Sequence, residues 1–152
     1  MLTLCLFVMN IIAIDISEPN ENGARMAIVR IDGRELLDII RDAEQPLAAK
    51  DDEPDLAGKY DYHNIKDVLY PSRHLLGDPI RPLLEYDGKI SILECECGCE
   101  GCWPLIADVN VTKHQIEWCN FQQVHRDNWN FPDDFRFTFD RTQMEDALKI
   151  EA

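Results

Sequence analysis

The chain has 152 residues, 45% of them apolar and 9% aromatic, enough for one domain with a packed core and too apolar for wholesale disorder. Its 15 Lys plus Arg stand against 29 Asp plus Glu, for a formal charge of −14. A surface of that sign repels phosphate backbones and anionic lipid, so direct binding of nucleic acid or membrane is excluded, while a basic protein partner would be steered toward it.

Residues 2–16 are mostly apolar. Leu2, Leu4, Leu6 and Val8 alternate with Thr3, Cys5, Phe7 and Met9, and Ile11, Ile12 and Ile14 follow. A period of two is the signature of a strand. A signal peptide would want a basic start and a small-residue cleavage site, yet no Lys or Arg precedes Arg25. The expected location is therefore the cytoplasm, where thiols stay reduced and clustered cysteines lean to metal or redox chemistry.

Ser17 to Gly23 has turn composition, and residues 26–31 read as a second strand that closes a hairpin. Asp32 and Glu35 have capping-box spacing, which predicts a helix carrying Leu36, Leu37, Ile40 and Ala43 on one face and ending at Pro46. Residues 47–64 are expected to be weakly structured, with the charge run 51–55 as a solvated loop. Ile65, Val68 and Leu69 suit a short helical turn. In Pro71 to Gly77, Leu75 and Leu76 would anchor a loop, and Arg73 with His74 forms one half of a candidate polar patch.

From residue 80 the pattern turns to β. Asp87-Gly88 between apolar runs marks a hairpin, because that turn needs two positive φ values. Residues 80–121 predict a meander of about four antiparallel strands. Residues 122–134 are irregular and hold the other half of the patch, His125 and Arg126, beside Trp129. Phe135, Phe137 and Phe139 mark a last strand. Asp140 and Gln143 repeat the capping spacing ahead of a helix bearing Met144, Ala147 and Leu148. The whole predicts one α+β domain over residues 1–152, with a mostly antiparallel sheet of about six strands and two helices on one face.

The stretch richest in chemistry joins two of the predicted strands. Cys95, Cys97, Cys99 and Cys102 fall within eight residues, with Gly98 and Gly101 between them. Cys95-Glu-Cys97-Gly98-x-x-Gly101-Cys102-Trp103-Pro104-Leu105 resembles the motif of a family of small bacterial proteins with no established activity. The resemblance continues through Asp32 to Leu36, Ser72 to Gly77, His125-Arg126 and Phe135 to Phe137. In that pattern the position of Cys99 varies, which sets it apart from the other three.

Three readings of the knuckle stand side by side. Cys95, Cys97 and Cys102 supply three thiolates for a metal, zinc being the ion they suit, with Cys99, Cys119, His114 or His125 as a fourth ligand. Cys99-Glu-Gly-Cys102 is formally a Cys-x-x-Cys dithiol, but Glu94, Glu96 and Glu100 would raise a thiol pKa and no helix start is predicted to lower it. Third, the cysteines act as small apolar residues in a tight glycine turn. The leading functional expectation is a soluble acidic binding or interaction domain rather than an enzyme, with a structural metal at the knuckle. The alternative is a small thiol oxidoreductase.

Overall fold

The computed structural model describes residues 9–150. The fold is α+β with mostly antiparallel strands, and these lie in two sheets. The smaller has three strands in the order β1 (Ile12–Ile16), β2 (Ala27–Ile31) and β3 (Arg34–Glu35). The larger has six, running β4 (Tyr60–Asp61), β6 (Lys89–Cys95), β7 (Leu105–Val111), β8 (Gln115–Gln123) and β9 (Phe137–Asp140), with β5 (Glu85–Tyr86) also paired to β6. Three α-helices complete it among the described residues: α1 (Leu36–Lys50), α2 (Ile65–Val68) and α3 (Arg141–Ala147).

The expected first strand appears as β1, and the portion over residues 2–8 lies outside the described residues. The β1–β2 hairpin forms in register, Ile12 opposite Ile31 and Ile16 opposite Ala27. The expected meander is β5 to β8. Asp87 and Gly88 take φ values of 51° and 88° at its first turn, the left-handed pair that such a hairpin demands.

Four expectations need correction. Asp32-Gly33 is not a helix cap: with φ of 53° and 84° it turns β2 back into β3, and the helix begins only at Leu36. The Asp32 carboxylate instead accepts from Ile11 N and Asn10 Nδ2, both at 2.8 Å. Pro46 does not end α1, which runs on to Lys50. Pro46 and Asp42 are both exposed, so the carbonyl freed by the missing N–H is left to water instead of being buried unpaired. The alternation of Ile116 and Trp118 with Glu117, Cys119 and Phe121 predicts Phe121 on the face of Glu117, and it breaks before Phe121. A bulge at Asn120 (φ 52°) sets two β8 residues opposite Ala107 and swings Phe121 into the core. Finally, the charge run is not merely solvated: Asp51 accepts from Asn128 Nδ2 at 2.8 Å and Trp129 Nε1 at 2.7 Å, and Glu53 pairs with Arg126 at 3.2 Å. Those carboxylates dock the irregular segment 124–134, which begins two residues later than expected because β8 runs to Gln123, onto the end of α1.

Both sheets feed one core. Ile12, Val29 and Ile31 from the small sheet meet Leu36 and Ile40 of α1, and Leu93, Leu105, Trp118 and Phe139 of the large one. Met144 and Leu148 close it from the C-terminal end, where Asp140 caps α3 as expected by accepting from Gln143 N at 2.9 Å. Gln143 does not reciprocate. Its amide binds Ile12 O and N, which ties α3 to β1.

Candidate metal centre at the cysteine knuckle

The β6 strand ends at Cys95 and β7 begins at Leu105, so the knuckle is the connection between two central strands. It is built from two tight turns. Gly98 N donates to Cys95 O at 3.1 Å, and Cys102 N to Cys99 O at 3.3 Å. Each turn needs a residue in left-handed backbone, supplied by Gly98 (φ 85°) and Gly101 (φ 77°). Gly101 N also donates to Glu94 Oε1 at 2.9 Å, which pins the second turn to the last residues of β6.

This winding gathers three sulfurs. The Sγ atoms of Cys95, Cys97 and Cys102 lie within 4.8 Å of one another, a cluster that can hold a metal ion. Cys97 and Cys102 are exposed and Cys95 is half-buried. In a tetrahedral zinc thiolate site with Zn–S about 2.3 Å, the sulfurs stand about 3.8 Å apart, so closing on an ion takes at most about 1 Å of movement. Cys97 N donates to Cys95 Sγ at 3.4 Å and Cys99 N to Cys97 Sγ at 3.5 Å, bonds that favour the thiolate form. Four free cysteines line the turn, and Cys119 is the fifth free cysteine among the described residues.

The thiols differ in acidity. Cys97 is drawn down to about 7, first by the Cys95 thiol and then by the Cys99 N–H, both of which hydrogen-bond its sulfur. Cys95 is pushed up to about 12, chiefly by burial and by its thiol's bond to Cys97. Cys99 is raised by donating to Cys97. The expectation that Glu94, Glu96 and Glu100 raise a thiol pKa here is corrected: the shifts at Cys95, Cys97 and Cys99 come chiefly from burial and from hydrogen bonds among the thiols and to backbone N–H groups. Glu94 accepts from Ser91 Oγ and Gly101 N, Glu100 from Arg81, and Glu96 pairs with Lys59 at 3.6 Å, so each carboxylate has a partner of its own.

The candidates for a fourth ligand are not brought in. Cys99 is beside Cys97 but outside the three-sulfur group. Cys119 is buried in β8, accepting from Asn110 Nδ2 at 3.4 Å. His114 sits exposed in the β7–β8 turn, and His125 is stacked on Trp103 with ring centroids 5.8 Å apart.

The candidate polar patch divides in two. His125 and Arg126 both lie against Trp103 of the knuckle, the Arg126 guanidinium carbon 5.0 Å from the ring centre. Trp129 meets the same ring edge-on at 6.1 Å. Arg73 is exposed and pairs with Glu145 at 3.8 Å. His74 is fully buried, with Nε2 on Ser91 O at 2.7 Å and Nδ1 accepting from Ile80 N at 3.2 Å.

Two buried polar networks were not foreseen. His63 Nε2 joins His74 on Ser91 O, at 2.9 Å, and Ser91 Oγ donates to Glu94 beside the knuckle. Ser91 was the clue, a hydroxyl in the middle of the apolar run of β6. The second is Glu44, Tyr60 and Gln123, where Gln123 Nε2 donates to Tyr60 Oη at 3.0 Å and to Pro104 O at 3.2 Å. A cleft of about 310 Å³ opens beside the knuckle, with His63, Asp67, Glu94, Cys95, Gly98 and Glu100 on its walls. Among the described residues no helix is long and apolar enough to cross a membrane.

Comparison with models of protein families, with curated proteins and with solved structures gives no match to this chain.

Proposed function

We propose that this chain is an acidic binding domain that carries one zinc-class metal ion on Cys95, Cys97 and Cys102, and that it meets a basic protein partner. The observation that carries the metal reading is the convergence of three sulfurs within 4.8 Å from one eight-residue turn. Soft thiolates suit zinc, and the Cys99 N–H on the Cys97 sulfur helps to favour the ionised form of that ligand. The partner reading rests on the formal charge of −14, which accelerates encounter with a cationic surface. On this reading the motif shared with the small bacterial family it resembles is a metal-binding knuckle that holds β6 and β7 together.

The test is metal content by mass spectrometry on protein purified without chelator or nickel resin, with a thiol count alongside. One zinc per chain and masked thiols are expected. A chain that stays metal-free after incubation with zinc overturns the reading.

A second reading, a thiol oxidoreductase, is favoured by one observation: Cys97 is exposed and drawn down to about 7, with Cys95, Cys99 and Cys102 near enough to resolve a disulfide. It expects a metal-free protein whose Cys97 forms a mixed disulfide that a neighbour then displaces. A zinc-loaded knuckle inert to disulfides sinks it.

A further inference from the structure

We propose that the ion held by Cys95, Cys97 and Cys102 keeps one coordination position open to the cleft beside β4 and β6, and that this position takes a neutral or cationic nitrogen or sulfur donor from outside the chain. The inference rests on the metal reading above and adds to it what completes the site.

The first ground is ligand count. Among the described residues no fourth His, Cys, Asp or Glu joins the three-sulfur group. The nearby carboxylates are committed, Glu94 to Ser91 and Gly101, Glu100 to Arg81 and Glu96 to Lys59. A zinc-class ion with three protein ligands is completed by an external one, whereas a purely structural site is closed by four.

The second ground is space. Cys95 and Gly98 of the knuckle form part of the wall of the cleft, and its volume of about 310 Å³ admits a small molecule. His63 lines the same cleft. Its Nε2 is used on Ser91 O, and no hydrogen bond reaches Nδ1 among the described residues, which leaves an acceptor for an N–H of the incoming donor.

The third ground is charge. Asp61, Asp67, Glu94 and Glu100 stand on the walls, and Arg81 is the cation that pairs with Asp67 and Glu100. Such a cleft repels an anionic donor and admits a neutral imidazole or an aminothiol. Imidazole binds through its lone pair without losing a proton. A thiol gives up its proton on binding, and its ammonium group offsets the added charge.

The experiment uses the full chain loaded with cobalt(II), whose visible spectrum reports donor number and type, titrated with imidazole, with cysteamine and with mercaptosuccinate. The expected result is saturable spectral change with the first two, a requirement for roughly tenfold or more mercaptosuccinate (~1.4 kcal/mol), and an unchanged spectrum in Cys99→Ser. A spectrum that no donor moves, or a sulfur contribution lost in Cys99→Ser, means a closed site and overturns the inference while the metal reading survives. Equal affinity for the anionic thiol overturns the charge selection. Failure to bind cobalt or zinc at all overturns the metal reading and this inference with it.

Discussion

Tyr60 donates its hydroxyl to Glu44 Oε2 at 2.6 Å, and across the β4–β6 pair Tyr60 stands opposite Cys95. A buried carboxylate of α1 is thereby coupled to the strand that starts the knuckle. Glu44 is fully buried, and its other oxygen accepts from Gly58 N at 2.8 Å. Neither partner is a cation. Burial therefore prevails over the two hydrogen bonds and pushes the carboxyl from 4.5 up to about 7.

A pH dependence of known sign follows from Glu44. Its folded pKa lies above its unfolded one, so its contribution to stability is whole below about 4.5 and is lost as pH rises through about 7. The gap is worth at most about 3 kcal/mol. Glu44→Gln removes the titration. Urea unfolding at pH 5 and pH 8 should show the variant gaining on the wild type at the higher pH, and an equal difference at both would refute the assignment. Tyr60→Phe, which removes a bond that favours the ionised form, should raise the Glu44 pKa further.

The buried histidine works in the opposite direction. Burial, then the nearby His74, pushes His63 from 6.5 down to about 4. Its folded pKa lies below its unfolded one, so its contribution is present above about 6.5 and is lost as pH falls through about 4. The ceiling is again about 3 kcal/mol. His63→Gln retains a donor for Ser91 O but does not titrate. Its stability relative to wild type should improve between pH 7 and pH 4.5, as read by urea midpoints, and a constant offset would rule this out.

How far the sequence foretold this molecule is best judged at particular residues. Asp87-Gly88 was legible because a two-residue turn fixes its own geometry. Asp32-Gly33 is the same dipeptide, and there a helix cap competed because Glu35 has the right spacing. The choice was made by Arg34 and Glu35 pairing back onto Ile31 and Arg30, a contact no local pattern announces. Glu44 was legible in principle, standing four residues after Ile40 and four before Ala48 on the buried stripe of α1. Its acceptance there depends on Tyr60 and Gly58, both distant in sequence. The knuckle sulfurs were placed in one turn by spacing alone, and three of them converge, which is what the first of the three readings requires. That Cys99 is the one left out follows from the two successive glycine turns, which spacing does not specify.

The 124–134 segment should detach when its anchor is removed. Asp51 accepts from Asn128 and from Trp129 Nε1, and those two bonds hold its carboxyl below the usual range. Asp51→Ala leaves the indole N–H of a buried tryptophan without its partner. Amide exchange over residues 124–134 should quicken by roughly tenfold or more, the scale set by one charge-assisted hydrogen bond, while Ile116 and Trp118 in β8 stay protected. Uniform quickening across β8 would show that Asp51 supports the whole sheet instead.

In the metal-free protein the knuckle thiols should react in a fixed order. The thiolate is the nucleophile, so reactivity follows acidity and exposure. Cys97 is exposed and drawn down to about 7, whereas Cys95 is half-buried and pushed up to about 12. Alkylation by a maleimide, followed site by site by mass spectrometry in the presence of chelator, should mark Cys97 first and Cys95 last. The Cys97 rate should climb through about pH 7, because below that value the thiol is protonated. Cys95→Ala deletes the donor with the largest hold on the Cys97 sulfur, so it should move that midpoint upward and slow Cys97 at pH 7. Zinc added before the reagent should protect Cys95, Cys97 and Cys102 together and leave Cys99 open to modification. Protection of all four would place Cys99 in the coordination sphere, and protection of none would separate the acidity of Cys97 from metal binding altogether.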